Sequence, residues 1–328
     1  MKNVLITRRT HPLGVSLLET ETQVRNLLNP TRAELIAALP GVHGIVAGIS
    51  VAFDGDLLDR APDLAVVARH GVGMDNVDLH AATERGICVL YTPLAMVTSV
   101  SEHAVGLMLS LARAFKKGDI ALRENKYATR DQLGAVDLGG RTLGIIGCGR
   151  IGSRVARICG LGLGMKVITY DPYITDAKAA QAGADRKPTL EEVLRTADVV
   201  TLHTPLTMET RHMIGREQLA MMKPSAFLVN SARGPVVDEK ALIAALQGGQ
   251  IAGAGLDVYE PEPPALDNPL LSMPNVVVTP HSAGSSLECL QAIAKMVAQG
   301  ILDVLHGERP SDDVLANPEV WERRRMVT

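Results

Sequence analysis

Several side chains in the second half of the chain stand where an apolar, strand-length run gives way to a loop. Arg233 follows the run ending at Asn230, and Asp257 follows Leu256. Glu262 lies five residues beyond Asp257, and His281 follows the run closing at Thr279-Pro280. His203 closes another such run. Open parallel sheets bind ligands beyond the carboxyl ends of their strands, so these side chains are delivered toward one crevice. The set suits carbonyl reduction by hydride transfer, which builds negative charge on oxygen that a proton and a cation must meet. Imidazole titrates near neutral pH, so His281 is the candidate proton donor, and the base when the reaction runs backward. A carboxylate at Glu262 would fix that ring and favour its charged form. The planar Arg233 guanidinium can hold a carboxylate or carbonyl oxygen in two places. Singly, each has an ordinary explanation: a histidine after a strand is often a cap, Arg233 before Gly234-Pro235 can anchor a turn, and glutamates are common in proline-rich loops.

A glycine turn makes the joint reading stronger. The apolar run Leu143–Ile146 feeds Gly147, Gly149 and Gly152, and helical spacing continues from Ser153 to Ile158. In a dinucleotide fingerprint the first glycine makes the tight strand-to-helix turn, the second admits the pyrophosphate, and the third lets helix and strand pack closely. The helix N-terminus at Arg150 and Ile151 offers unpaired N–H groups to the phosphates. Asp171 ends the next apolar run, nineteen residues past Gly152, placed to accept hydrogen bonds from ribose hydroxyls. That carboxylate would repel a 2′-phosphate, and Pro172 and Tyr173 supply no arginine to receive one. The expected cofactor is NAD rather than NADP.

These groups must be held by a parallel α/β scaffold, because strand-length apolar runs alternate with helical patterns along the chain. Val4–Ile6, Ile45–Ala47, Leu64–Ala68 and Val89–Tyr91 read as strands, with a helix at Arg32–Ala38 and a long apolar helix at Ser101–Phe115. Beyond the glycine turn come strand candidates at Val199–His203, Ala226–Asn230, Ala252–Leu256 and Val276–Thr279, with helices at Leu190–Arg195 and Glu239–Gln247. A final helical stretch, Ser286–His306, has no strand after it and is expected to cross back to the first domain. The expected architecture is two doubly wound parallel-sheet domains: a Rossmann NAD-binding domain at 100–285, inserted into a flavodoxin-like substrate domain built from 1–99 and 286–328. The crossings near Ser99–Ser101 and Ala283–Ser286 are the expected hinges.

Composition fits that plan. Apolar residues make up 46% of 328 while aromatics make up 3%, so the cores must rest on Val, Ile, Leu and Ala, as in buried parallel strands. Net charge is −3 without blocks of one sign, which suggests neither nucleic acid nor a polyanion as partner. The Arg323-Arg324-Arg325 cluster reads as a solvated helix end. Cys88, Cys148, Cys159 and Cys289 lack metal-type or paired spacing, which points to reduced thiols and a cytoplasmic protein. No metal site is indicated. No apolar stretch reaches membrane-spanning length, and Met1–Thr7 lacks the apolar core of a signal peptide.

The chain resembles the D-isomer-specific 2-hydroxyacid dehydrogenases, which include phosphoglycerate dehydrogenase and hydroxypyruvate (glycerate) reductase. The likeness is carried by Arg69-His70-Gly71-Val72-Gly73-Met74-Asp75-Asn76-Val77-Asp78, Ser99-Val100-Ser101-Glu102-His103 and the glycine turn. It continues through Leu202-His203-Thr204-Pro205-Leu206-Thr207, Asn230-Ser231-Ala232-Arg233-Gly234, Gly255-Leu256-Asp257-Val258, Glu262-Pro263 and Thr279-Pro280-His281. The resemblance implies that Arg233, Glu262 and His281 are the catalytic trio acting on a small 2-hydroxy or 2-oxo acid. It implies that Asp257 binds the nicotinamide carboxamide, that the His203-Thr204-Pro205 loop packs along the cofactor, and that Ala232 and Gly284 also contact it. It further implies that the N–H groups of Val72 and Gly73 hold the substrate carboxylate beside Arg69 and His70, and that the protein is a homodimer through its nucleotide domains. The Glu102–Phe115 helix would suit burial at that interface or, alternatively, an ordinary core.

Two departures bear on substrate. Tyr91-Thr92-Pro93-Leu94-Ala95-Met96 replaces a common Asn-Pro-containing run, and Ala47-Gly48-Ile49-Ser50 stands where phosphoglycerate enzymes often carry an arginine. Arg8 and Arg9, with Arg69 and His70, are candidates to read a second anionic group, against the alternative of solvated surface arginines. Hydroxypyruvate or glyoxylate, and dianions such as phosphohydroxypyruvate, are the candidate substrates. An NAD-sensing, corepressor-like binding protein is the competing class, disfavoured by the lack of long tails and of a basic face.

Overall fold

The computed structural model describes residues 1–327, with side chains described through Arg323. The chain divides into two compact units, Met1–Met96 with Gly284–Thr328, and Val97–Ala283.

The first unit is a five-stranded, wholly parallel sheet of β1 (Lys2–Ile6), β2 (Thr22–Asn26), β3 (Gly44–Ala47), β4 (Val66–Arg69) and β5 (Cys88–Leu90), in the order β2-β1-β3-β4-β5. That is the flavodoxin-like order, whose chain direction reverses between β1 and β3. Period-two alternation sorts the strand side chains onto two faces. Val4, Ile6, Val46, Val66 and Ala68 pack with Ile293, Val297 and Ile301 of the long helix Leu287–His306. Leu5, Ile45, Val67 and Val89 pack with Leu35, Leu57 and Ala81 on the opposite face. Both faces are covered, which is why these strands read as unbroken apolar runs. Helix Pro12–Glu19 comes so close to Leu287–His306 that a Cβ at Gly14 would lie 2.6 Å from the Ala294 carbonyl oxygen. Arg323 is exposed on the last helix, Val320–Val327, and the side chains of Arg324 and Arg325 lie outside the described residues.

The second unit carries a seven-stranded parallel sheet: β6 (Thr142–Ile146), β7 (Lys166–Tyr170), β8 (Asp185–Arg186), β9 (Val199–Leu202), β10 (Phe227–Asn230), β11 (Gly253–Leu256) and β12 (Val276–Val278). The order is β12-β11-β10-β9-β6-β7-β8, so the chain winds out one way from β6 and returns the other way from β9. This is the Rossmann arrangement extended by one strand. One face packs Ile146, Val200, Leu228 and Ala254 against Val193 and Leu242; the other packs Leu143, Ile145, Val199 and Val229 against Ala104, Leu107, Met108 and Leu111.

The helix expected at Ser101–Phe115 instead spans Val97–Ala112. Ser101 lies one turn in, its hydroxyl donating to the Val97 carbonyl at 2.6 Å. Ala114 then adopts a left-handed conformation (φ 54°), and a separate helix runs Phe115–Arg123. The inward face of Val97–Ala112 is core packing. Leu107 and Leu111 lie over β11, where Gly255 and Gly253 carry no side chain to hold them off. All four cysteines are buried and none forms a disulfide, and among the described residues no helix is long and apolar enough to cross a membrane.

Candidate active site

The switch point of the seven-stranded sheet lies between β6 and β9, and the glycine turn and His203-Thr204 stand on its two sides. Gly147 takes φ 88° and faces the β9 end so closely that a Cβ there would meet the His203 carbonyl oxygen at 2.8 Å. A Cβ on Gly152 would collide with the Gly147 carbonyl oxygen, while one on Gly149 meets nothing within 4 Å. The three glycines thus divide the work as their spacing suggests: turn, open approach, close packing. Helix Arg150–Arg157 starts at this point with Gly149 as its cap residue, so its first N–H groups face the open side.

The residues fit a dinucleotide on independent grounds. Thr204 Oγ1 and Ser231 Oγ are buried polar atoms without a partner, at the carboxyl ends of β9 and β10. Such orphans are uncommon and call for a partner. Asp171 directly follows β7, buried, with Oδ2 accepting from Cys148 N–H and Oδ1 from Tyr173 N–H, both at 2.9 Å. The carboxylate therefore braces the glycine turn, and each oxygen keeps a second lone pair. Arg186, from the end of β8, donates to the Asp171 carbonyl at 3.2 Å, a basic neighbour that the local sequence Pro172-Tyr173 did not reveal.

The proposed catalytic side chains rise from β10, β11 and β12, three adjacent strands in register (Asn230↔Leu256↔Val278). Glu262 Oε2 lies 2.7 Å from His281 Nδ1, and Glu262 Oε1 accepts Tyr259 N–H at 3.0 Å. The ring is partly exposed (41%) and its backbone is left-handed (φ 51°). The Arg233 guanidinium donates through one terminal nitrogen to its neighbour's carbonyl, Ala232. Its loop is shaped by Asn230, whose side chain bonds both the Arg233 carbonyl and Ala232 N–H. Gly234 is obligatory here, because a Cβ would overlap the Tyr259 carbonyl.

Asp257 is anchored within its own unit. It is fully buried and accepts from Thr279 Oγ1 (2.6 Å), Ser282 N–H (2.8 Å) and Ala283 N–H (2.9 Å), with His103 Nε2 at 3.4 Å. Burial alone would raise its pKa, but these bonds outweigh burial and hold the carboxyl below the usual range. Tyr259, pushed up to about 12 by burial and by the Asp257 charge, stays protonated and donates to the Thr279 carbonyl at 2.8 Å.

In the other unit, Arg69 is not the solvated surface arginine of the alternative reading. It is buried, its Nε donating to the Gly73 carbonyl (2.9 Å) and Nη1 to the Ala47 carbonyl (3.1 Å). It shapes the 71–73 turn rather than facing solvent. Gly71 there takes φ 144°, and the N–H groups of Val72 and Gly73 donate to no described residue. His70 is buried with Nε2 unpartnered, and so is Thr92 with Oγ1. Gly284 belongs to this unit, where a Cβ would strike Met96, and so does not share a unit with the glycine turn.

Two histidines make stability depend on pH. Burial pushes His203 down to about 4, and burial with the Arg8 charge does the same to His70. Both folded values lie below the unfolded value near 6.5, so the unfolded chain binds more protons as pH falls through that range. Stability should drop between about pH 6.5 and 4, by about 3 kcal/mol for each histidine. Thermal melts across this range check it: the slope should shrink in His203→Gln and again in His70→Gln.

Comparison with known proteins is consistent with this geometry. Residues 105–283 match the family model described as D-isomer specific 2-hydroxyacid dehydrogenase, NAD binding domain. The D-3-phosphoglycerate dehydrogenase of Methanocaldococcus jannaschii is 40% identical over 324 residues, 99% of this chain but only 61% of that protein. This chain therefore spans less than two thirds of that relative's length. The glyoxylate reductase of Korarchaeum cryptofilum is 40% identical over 98% of this chain's length and 97% of its own. Among solved structures, the TT0316 protein from Thermus thermophilus superposes with a TM-score of 0.88 at 36% identity, covering 96% of this chain and 99% of that one.

Proposed function

Because the chain belongs to the D-isomer specific 2-hydroxyacid dehydrogenase family, we propose that it interconverts a small D-2-hydroxy acid and its 2-oxo acid with NAD as cofactor. The observation that carries this reading is the Glu262–His281 pair at 2.7 Å, held beyond strand ends of the same sheet that bears the glycine turn. When bound, the dinucleotide supplies or accepts the hydride at its nicotinamide ring. The glycine turn, helix N-terminus and Asp171 hold it, with Thr204, Ser231, Ala232 and the Asp257 carboxylate lining the strand ends.

In the direction of reduction, His281 delivers a proton from Nε2 to the substrate oxygen as its carbon gains the hydride, and the ring ends neutral. Nδ1 is occupied by Glu262, which fixes which nitrogen faces the substrate. Arg233 meets the charge that develops on oxygen and orients the carboxylate. Within the other unit, the Val72 and Gly73 N–H groups are proposed as donors to an anion. In oxidation the same His281 nitrogen takes the hydroxyl proton. The protein is proposed to act as a homodimer in the cytoplasm.

For the tail of the substrate, an anionic group is favoured. The switch point of the five-stranded sheet lies between β1 and β3, where Arg8 and Gly48 meet: a Cβ on Gly48 would lie 3.1 Å from Arg8 Cβ. Burial lowers the Arg8 pKa, yet an arginine so shifted stays charged. No side-chain partner is found for Arg8 among the described residues, and the buried, unpartnered His70 Nε2 and Thr92 Oγ1 belong to the ends of β4 and β5 in the same sheet. A desolvated cation with polar donors beside it suits a phosphate, sulfonate or distal carboxylate. Arg8→Ala should lower kcat/KM for a dianionic 2-oxo acid about tenfold or more while leaving glyoxylate within about twofold. Equal losses for both would remove this substrate assignment.

Assay of glyoxylate, hydroxypyruvate, phosphohydroxypyruvate, sulfopyruvate and oxaloacetate with NADH and with NADPH tests the reading as a whole. Turnover of at least one with NADH preferred is the expected result. Absence of turnover, or a clear preference for NADPH, contradicts it.

A further inference from the structure

We propose that His103 is a positioning residue for this reaction: through the Thr279 hydroxyl it fixes the Asp257 carboxylate, which in turn holds residues 281–283 so that the His281 imidazole is presented to substrate. The inference rests on the role given to His281 above.

His103 reaches this place for reasons visible along its helix. It shares a face with Leu107 and Leu111, one and two turns on, and both lie against β11 where Gly255 and Gly253 permit close approach. The same face therefore carries the imidazole to the carboxyl ends of β11 and β12, where Asp257 and Thr279 stand. His103 Nε2 lies 2.9 Å from Thr279 Oγ1, which lies 2.6 Å from Asp257 Oδ1.

The chemistry fixes the direction of this chain. An ionised Asp257 can only accept, so the Thr279 hydroxyl hydrogen points at the carboxylate. Its oxygen is then left to accept from His103, which requires the proton on Nε2. On the far side, the Asp257 carboxylate accepts Ser282 N–H and Ala283 N–H, and the Asp257 carbonyl accepts His281 N–H at 2.8 Å. These bonds hold His281 in a left-handed conformation that a non-glycine residue adopts only under constraint. Tyr259 closes the knot, its hydroxyl on the Thr279 carbonyl and its N–H on Glu262. Both members of the Glu262–His281 pair are therefore pinned to the segment that Thr279 and Asp257 organise. With a fully buried carboxylate at its centre, this network depends on every donor it has.

The test compares wild type with His103→Leu, His103→Gln and Thr279→Val, reading kcat and KM with the best 2-oxo acid, NADH affinity by fluorescence, melting temperature, and ring 15N shifts of the histidines. Glutamine keeps an N–H donor near the position of Nε2; leucine keeps only bulk. In His103→Leu and in Thr279→Val, kcat should fall about 10–100-fold, with KM for the 2-oxo acid within about threefold. His103→Gln should recover to within about threefold of wild type. Ring shifts should show His103 protonated at Nε2, and the His281 shifts should move in His103→Leu but not in His103→Gln. Wild-type kcat in His103→Leu, a glutamine variant as impaired as the leucine one, or unmoved His281 shifts would each overturn the proposal. The ring shifts are read on the free protein, so they judge this network even if no 2-oxo acid is turned over, a result that would instead count against the dehydrogenase reading.

Discussion

His281→Ala is expected to bind NADH as wild type does while its kcat falls by about three orders of magnitude. A positioned general acid contributes roughly 10²–10⁴-fold, and this one has its partner already in place, with Glu262 at 2.7 Å from Nδ1. Nothing in the glycine turn or around Asp171 uses the His281 side chain, so cofactor affinity should stay within about twofold. Glu262→Gln separates the two parts of the pair. The amide can still accept from or donate to the ring, but it cannot stabilise an imidazolium by charge, so a smaller loss of about 10–100-fold is expected. Stopped-flow turnover together with fluorescence titration of NADH checks both variants. A His281→Ala enzyme retaining a tenth or more of wild-type kcat would remove the acid–base assignment.

The second large effect is expected at the glycine turn, where two glycines should fail in different ways. In Gly152→Ala the new methyl meets the Gly147 carbonyl oxygen and lies 3.2 Å from Ile145 Cγ2, so helix Arg150–Arg157 must move off β6. Forced overpacking of this kind costs about 1–3 kcal/mol, so the melting temperature should fall and NADH affinity should weaken at least about 30-fold. In Gly149→Ala the methyl meets nothing within 4 Å in the free protein. Its melting temperature should match wild type while NADH affinity drops about tenfold or more, because the space it fills is the one proposed for the pyrophosphate. Melting and titration of the two variants side by side distinguish a packing glycine from a cradle glycine. A Gly149→Ala protein with unchanged affinity would place the phosphates elsewhere.

Much of this was legible in the residues because the chemistry and the scaffold share a grammar. The apolar runs at Val199–His203, Ala226–Asn230 and Ala252–Leu256 coincide with β9, β10 and β11 to within a residue, since strands buried on both faces must be apolar throughout. The runs at Ala226–Asn230 and Ala252–Leu256 locate Arg233 and Asp257, and the run Val276–Thr279 locates His281, because an open parallel sheet presents its strand ends to ligands. Other elements left no such trace. β2 (Thr-Gln-Val-Arg-Asn) and the two-residue β8 are edge strands with polar, largely exposed side chains, so nothing in their sequence repeats or hides. The helix Val97–Ala112 begins a turn ahead of the expected start, and the Ser101 hydroxyl bonds back to Val97 inside it.

Roles that depend on neighbours far apart in the chain were the hardest to see. Arg69 reads as a candidate to bind an anion or, alternatively, as a solvated surface arginine, whereas its guanidinium is buried on two carbonyls, one of them 22 residues away. His103 reads as one polar residue on an apolar helix; its partner Thr279 is 176 positions later. The signal that could have found it was the run Gly253-Ala254-Gly255, whose missing side chains announce that a helix lies directly on β11. The burial of Asp257 beneath four donors could not be read from its position after Leu256 alone.

The most direct test of the central claim is transfer from NADH deuterated at the nicotinamide C4 position to the best 2-oxo acid of the panel. The account predicts deuterium bound to C2 of the product, a D-configured 2-hydroxy acid, with the rate collapsing in His281→Ala. Product of L configuration, or product whose C2 hydrogen never comes from the cofactor, would contradict it.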